Sequence, residues 1–171
     1  LNNSTPLPQS TQTSKKAKQH FLQRHRATLK ALRFNGIKVV IVGDNVLLIL
    51  PSDKFFYPNT TRRIIATNSL LNDVADLLRD YHVVDVKVAG YTALAASPLR
   101  AKALSAQQAQ EIVRYLWAQK PDVRMMYAKG YGQSFPIASN QSAWGRATNQ
   151  RIEITFRLLP KCCQLTMRNA S

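Results

Sequence analysis

The chain has 171 residues, 45% of them apolar, which is the length of one ordinary domain with a real core and excludes disorder throughout. Its formal charge is +15, from 24 Lys and Arg against 9 Asp and Glu, a field that favours anionic partners without naming one. No stretch reaches the roughly 18 to 20 apolar residues that a membrane-spanning helix needs.

Residues 1–14 are mostly Asn, Ser, Thr, Pro and Gln, a composition that predicts a flexible polar linker. The chain starts at Leu1 without a charged-then-apolar leader, so a signal segment or a lipidated cysteine is expected to precede it. No acidic residue precedes Asp44, whereas Lys15, Lys16, Lys18, Arg24, Arg26, Lys30, Arg33 and Lys38 all do. Residues 15–36 predict one basic amphipathic helix, with Phe21, Leu22, Leu29 and Leu32 on one side and Asn35-Gly36 as its stop.

Ile37–Val42 and Val46–Leu50 are β-rich runs separated by Gly43-Asp44-Asn45, which predicts a hairpin ended by Pro51. After the aromatic run Phe55-Phe56-Tyr57, Pro58 to Thr61 offers capping residues for a helix to about Tyr81. Its stripe would be Ile64, Thr67, Leu71, Val74, Leu78 and Tyr81. Val84, Val86 and Val88 alternate with Asp85 and Lys87 in a strand that ends at Gly90. Ser97-Pro98 opens a helix to about Trp117, with Leu104, Ala109, Ile112 and Leu116 inward and Trp117 expected in the core. Val123–Ala128 is the next strand, followed by a Gly130-Tyr131-Gly132 turn, a long loop in which Trp144 acts as an anchor, and a last strand through Ile152, Ile154 and Phe156.

The order β-β-α-β-α-β implies an α/β domain, an α+β sandwich with a mixed sheet and two helices on one face. Its expected bounds are 37–159, with residues 160–171 as a tail that holds Cys162 and Cys163, read as reduced or incidental thiols. His20, His25 and His82 have no Ser, Cys or carboxylate at a useful spacing and read as surface residues, so neither catalysis nor a metal or other cofactor is expected. Nucleic acid would require aromatic residues interleaved with bases on a sheet face, or a known motif. The sequence shows neither, so no such partner is expected.

The segment Gly130-Tyr131-Gly132-Gln133-Ser134-Phe135-Pro136, followed by Asn140 and by Gly145-Arg146-Ala147-Thr148-Asn149-Gln150-Arg151-Ile152-Glu153-Ile154, resembles the end of the OmpA-like peptidoglycan-associated domain. Val88-Ala89-Gly90-Tyr91-Thr92 is similar to that family's strand end, and Leu104-Ser105 with Ala109 and Ile112 to its following helix. The resemblance covers roughly residues 37–157 and implies non-covalent binding of the diaminopimelate end of the peptidoglycan stem. There an aspartate pairs the ammonium and an arginine the carboxylate. This chain has Ala93 where the aspartate is implied and Gln108 where the arginine is, with Ala101 in place of an asparagine and Tyr91, before Thr92, in place of a histidine.

Weak or absent diaminopimelate recognition is therefore expected at Thr92, Ala93, Ala101 and Gln108. Arg146, Asn149 and Arg151 would either make residual ligand contacts or tie the long loop to backbone carbonyls. Within the family, the missing charge pair, polar tether and basic helix look most similar to the outer-membrane lipoprotein of Dot/Icm type IVB secretion systems. That likeness implies a non-enzymatic lipoprotein subunit of a secretion complex on the periplasmic face of the outer membrane. The basic helix, through Arg24, Arg26 and Lys30, is read as its dock on an acidic neighbour, and the alternative is an ordinary peptidoglycan-binding outer-membrane anchor that uses Arg146, Gln108 and loop backbone.

Overall fold

The computed structural model describes residues 9–79, 83–93 and 97–158, with the side chains of 9–14, 83 and 84 left aside. Residues 1–8 and the tail with Cys162 and Cys163 lie outside the described residues, as do Tyr81 and His82. In place of one basic helix there are two, α1 (Gln9–Arg24) and α2 (Arg26–Phe34), and the first begins inside the stretch expected to be linker.

Ala17, Phe21, His25, Leu29 and Leu32 follow one another at three or four residues and form a buried stripe across both helices. His25, expected at the surface, is buried on that stripe, its ring centroid 5.0 Å from that of Phe21. The stop is a Schellman motif, as Asn35-Gly36 predicts. The Gly36 N–H donates to the Arg33 carbonyl and the Ile37 N–H to the Leu32 carbonyl, with Ile37 and Leu32 buried against the core.

The hairpin forms as β1 (Lys38–Val42) and β2 (Asn45–Pro51), antiparallel with Val42 opposite Asn45. With β3 (Val83–Tyr91), β4 (Val123–Gly132) and β5 (Arg151–Arg157) the sheet runs in the order β1-β2-β5-β3-β4. The last strand is antiparallel to both β2 and β3, while β3 and β4 are parallel, so the sheet is mixed. Lying between two neighbours, β5 buries Ile152, Ile154 and Phe156 beside Val46, Leu48, Leu50, Val86 and Val88. Each such side chain contributes about 1.5–3 kcal/mol on burial.

Over that face lie the N-terminal helices and two more, α4 (Asn68–Arg79) and α5 (Pro98–Ala118), which share one apolar cluster with it. The Ser97 Oγ caps α5 by accepting from the Arg100 N–H at 3.2 Å, with Pro98 in the first turn. Trp117, expected inside, is 49% exposed, because the buried face of α5 runs through Ala101, Ser105, Ala109, Ile112 and Leu116 and leaves position 117 to one side.

Three further differences concern the connections. A short helix α3 (Ser52–Phe55) follows β2 directly and buries Phe55 and Phe56. The chain then loops back, with Phe56 bridged to Arg63, before a 3-10 turn at Ile65–Thr67 leads into α4. The helix expected from about Thr61 therefore starts several residues later. Helix α6 (Ala143–Asn149) occupies part of the long loop; its Trp144, expected as an anchor, is 74% exposed.

Helix α5 lies directly on the backbone of β3 and β4. A Cβ at Gly90 would sit 2.0 Å from the Ser105 carbonyl oxygen, and one at Gly130 would sit 2.5 Å from the Ala106 nitrogen. Gly130, expected to serve a turn, is thus a strand residue that admits the helix. Gly90→Ala should destabilise the fold by about 1–3 kcal/mol through overpacking against backbone, measured by urea melting; a variant as stable as the parent would refute this contact.

Candidate ligand-binding pocket

A cavity of about 150 Å³ opens where β3 ends, between α3 with its following loop and α5. Ser52 and Asp53 begin α3, Tyr57 and Asn59 come from the loop, and Tyr91 and Thr92 close β3. Leu104 and Gln108, one turn apart, come from α5. Gln150 completes the wall, and its carbonyl accepts from the Ser52 N–H at 3.0 Å.

Two hydroxyls set the chemistry of this wall. Ser52 is 6% exposed and Thr92 7%, and neither Oγ of Ser52 nor Oγ1 of Thr92 has a hydrogen-bond partner among the described residues. A buried polar group left unpaired costs about 1–3 kcal/mol. Gln108 is also buried, but its Nε2 donates to the Thr60 carbonyl at 2.8 Å and so pins the loop to α5. Among the described residues, the only charged one in the wall is Asp53.

Of the positions singled out in the sequence, Tyr91, Thr92 and Gln108 line this cavity. Ala93 and Ala101 are buried outside its wall. Ser52, Asp53 and Tyr57 were not singled out. The Pro51-Ser52-Asp53 run reads only as a strand end until Pro51 of β2 and Tyr91 of β3 are seen to flank Arg151 at the start of β5.

Arg146, Asn149 and Arg151 all engage the loop between β4 and β5. Arg146 Nη1 donates to the carbonyls of Asn140 at 3.0 Å and Gln141 at 3.2 Å. Asn149 Oδ1 accepts from the N–H groups of Ile137 and Ala138 at 2.7 and 2.9 Å, while its Nδ2 donates to the Ala138 carbonyl and to Asn140 Oδ1. Arg151 is buried; it donates to Glu153 Oε1 at 2.7 Å and to the carbonyls of Asn149 and Phe135. Its guanidinium also lies 3.8 Å over the Tyr91 ring. Gly145 is required here, since a Cβ would fall 1.8 Å from the Ser139 carbonyl oxygen.

Tyr91 is stacked on its other neighbour, Tyr131, with ring centroids 5.1 Å apart. Burial, reinforced by the Glu153 charge against the opposing effect of Arg151, pushes the Tyr91 hydroxyl up from 10.0 to about 12. Tyr131 moves the other way, chiefly because Lys87 Nζ donates to its hydroxyl at 2.8 Å, with Lys129 adding to the effect. A tyrosinate titration should therefore show Tyr131→Phe removing an early ionisation and Tyr91→Phe a late one. The unfolded chain releases the Tyr91 proton near pH 10.0 and the folded one near 12, so stability falls as pH rises through that window. Tyr91→Phe should flatten that fall; an unchanged slope would contradict the assignment.

A second, open groove lies between α1 and α2, lined by Gln19, Leu22, Gln23, Arg26, Leu29 and Arg33. Arg26 is in it, while Arg24 and Lys30 lie exposed on the same two helices outside its lining. Among the described residues no group of three or more His, Cys, Asp or Glu is placed to hold a metal, and no helix is long and apolar enough to cross a membrane.

A family model, the OmpA family, matches residues 55–150. The chain is 34% identical over 125 residues to the probable lipoprotein YiaD of Escherichia coli, covering 73% of this chain and 57% of that protein. It is 38% identical over 91 residues to the peptidoglycan-binding protein ArfA of Mycobacterium bovis, over 53% of this chain and 28% of ArfA. It thus spans little more than half of the first relative and under a third of the second. Among solved structures, the cell wall anchor of the T6SS from Pseudomonas aeruginosa is 30% identical with a TM-score of 0.68, over 82% of this chain and 96% of that one.

Proposed function

The chain belongs to the OmpA family, and from that premise we propose that it is a non-enzymatic anchor of the cell envelope, holding peptidoglycan in the cavity beside Thr92 and other subunits on its basic helices. The observation that carries this reading is the pair of buried, unpaired hydroxyls on Ser52 and Thr92. A fold that keeps two destabilising groups on the wall of one cavity has a use for them there, and a ligand with hydrogen-bonding groups would supply the missing partners. The relatives support the setting, since one is a probable lipoprotein, one binds peptidoglycan and one anchors to the cell wall. The site proposed is the periplasmic face of the outer membrane, with a lipid anchor ahead of Leu1.

With Ala93 and Gln108 in place of the implied charge pair, retention on sacculi should be weaker than for a relative that carries both. Ser52→Ala with Thr92→Val tests the reading, because binding and stability should move in opposite directions. Removing unpaired buried hydroxyls leaves the fold as stable or up to about 1–3 kcal/mol more so, while the double variant should be lost from sacculi in a pull-down. Equal retention of variant and parent, or no retention of the parent, would reject it.

For the partner assembly, we propose the outer-membrane core complex of a Dot/Icm type IVB secretion system, in the position of its DotK/IcmN lipoprotein. The groove of Arg26 and Arg33 between α1 and α2 favours an acidic neighbour there. Arg24→Glu with Arg26→Glu and Lys30→Glu should release the protein from detergent-solubilised envelope complexes yet leave its retention on sacculi intact. Normal co-purification of that variant would argue against the dock.

A further inference from the structure

Resting on the anchor reading, we infer that the cavity selects a primary ammonium whose neighbouring carboxyl group is amidated, and rejects the same group as a free carboxylate. In a chain of net charge +15, the cavity wall holds one charge, and it is the carboxylate of Asp53. The cations nearby are committed elsewhere. Arg62 is spread over the Tyr57 ring at 4.2 Å and is not part of the wall. Lys54 donates to the Asn35 carbonyl, and Arg151 is held by Glu153 and two backbone carbonyls. A free carboxylate entering this space meets a like charge and no cation in the wall.

The hydrogen-bonding inventory points the same way. Asp53 accepts only, and the unpaired oxygens of Ser52 and Thr92 can accept. Gln108 has one Nε2 hydrogen committed to the Thr60 carbonyl, which leaves Oε1 as an acceptor and the second Nε2 hydrogen as an uncharged donor. Asn59 and Gln150 can donate, but without charge. An acceptor-rich wall fits a donor-rich ligand. An ammonium brings three N–H groups and a carboxamide two, whereas a carboxylate brings none. The hydroxyls of Ser52 and Thr92 donate as well as accept, so the discrimination rests on Asp53, whose carboxylate pairs an ammonium and repels a carboxylate.

The experiment is calorimetric titration of the full chain with two stem tetrapeptides that differ only in whether the side-chain carboxyl of the diamino acid is free or amidated. The amidated peptide should bind at least about tenfold tighter. Asp53→Asn, with an unchanged melting midpoint, should weaken binding of the amidated peptide by about tenfold or more. Gln108→Arg should swing the preference towards the free acid. Equal or tighter binding of the free acid by the parent overturns the inference while leaving the anchor reading in place. Binding of neither peptide also overturns it, and sacculus retention of the parent then decides separately whether the anchor reading falls too.

Discussion

The contact between α5 and the ends of β3 and β4 governs the geometry of the rest. With glycine at 90 and 130, helix backbone rests on strand backbone, and the Gly132 N–H donates to the buried Ser105 Oγ at 2.9 Å. The depth and rotation of α5 are then fixed by main-chain atoms, which cannot repack as side chains do. One consequence is that Ile112 and Leu116 reach the apolar cluster. Another is that Leu104 and Gln108, at the opposite end of the same face, arrive beside Thr92 and form the cavity. Core and pocket are two ends of one helix placement.

Within the pocket, two demands pull against each other. Gln108 binds the Thr60 carbonyl and closes the loop over α5, a stabilising use of a buried amide. Ser52 and Thr92 do the reverse, standing buried without partners. Satisfying the loop and leaving the hydroxyls unpaired produces a wall that is rigid and under-bonded at once, a condition suited to binding, because little ordering remains to be done when a ligand arrives. The loop from 133 to 150 adds to this rigidity from outside. Arg146, Asn149 and Arg151 tie it down, and the Arg151–Tyr91–Tyr131 stack passes that order to the end of β3.

Much of the fold was legible from local pattern. The alternation in β3 and β5, the Ser97-Pro98 start of α5 and the Asn35-Gly36 stop of α2 are all local signals that tertiary packing leaves in place. The departures came where packing overrode them. Capping residues at Thr60 and Thr61 suggest a helix start, but burying Phe55 and Phe56 requires a short helix and a return loop first. His25 reads as polar, yet its spacing from Phe21 and Leu29 places it on the buried stripe. For the pocket, the resemblance located Thr92 and Gln108. Ser52 and Asp53 were not visible, because their part depends on β5 inserting between β2 and β3, which sets Arg151 beside both Pro51 and Tyr91, residues far from it in the chain. No local rule reports that distance.

The same insertion ties the first helix to the last strand among the described residues. Phe21 of α1 packs in the cluster that holds β5, with its ring centroid 6.5 Å from that of Phe156. The basic helices are therefore part of the domain, and a partner held on them is held at a set position relative to the pocket. The two grips nevertheless obey different physics. Exposed arginines and lysines act through a field that is screened over roughly 8 Å at physiological ionic strength, so their hold depends on the number of charges and weakens with salt. A cavity with one carboxylate and two desolvated hydroxyls acts only at contact, where screening is slight, and depends on ligand shape and donors. On the anchor reading proposed above, the two surfaces are rigidly linked but separately tuned, so salt acts on one and ligand chemistry on the other.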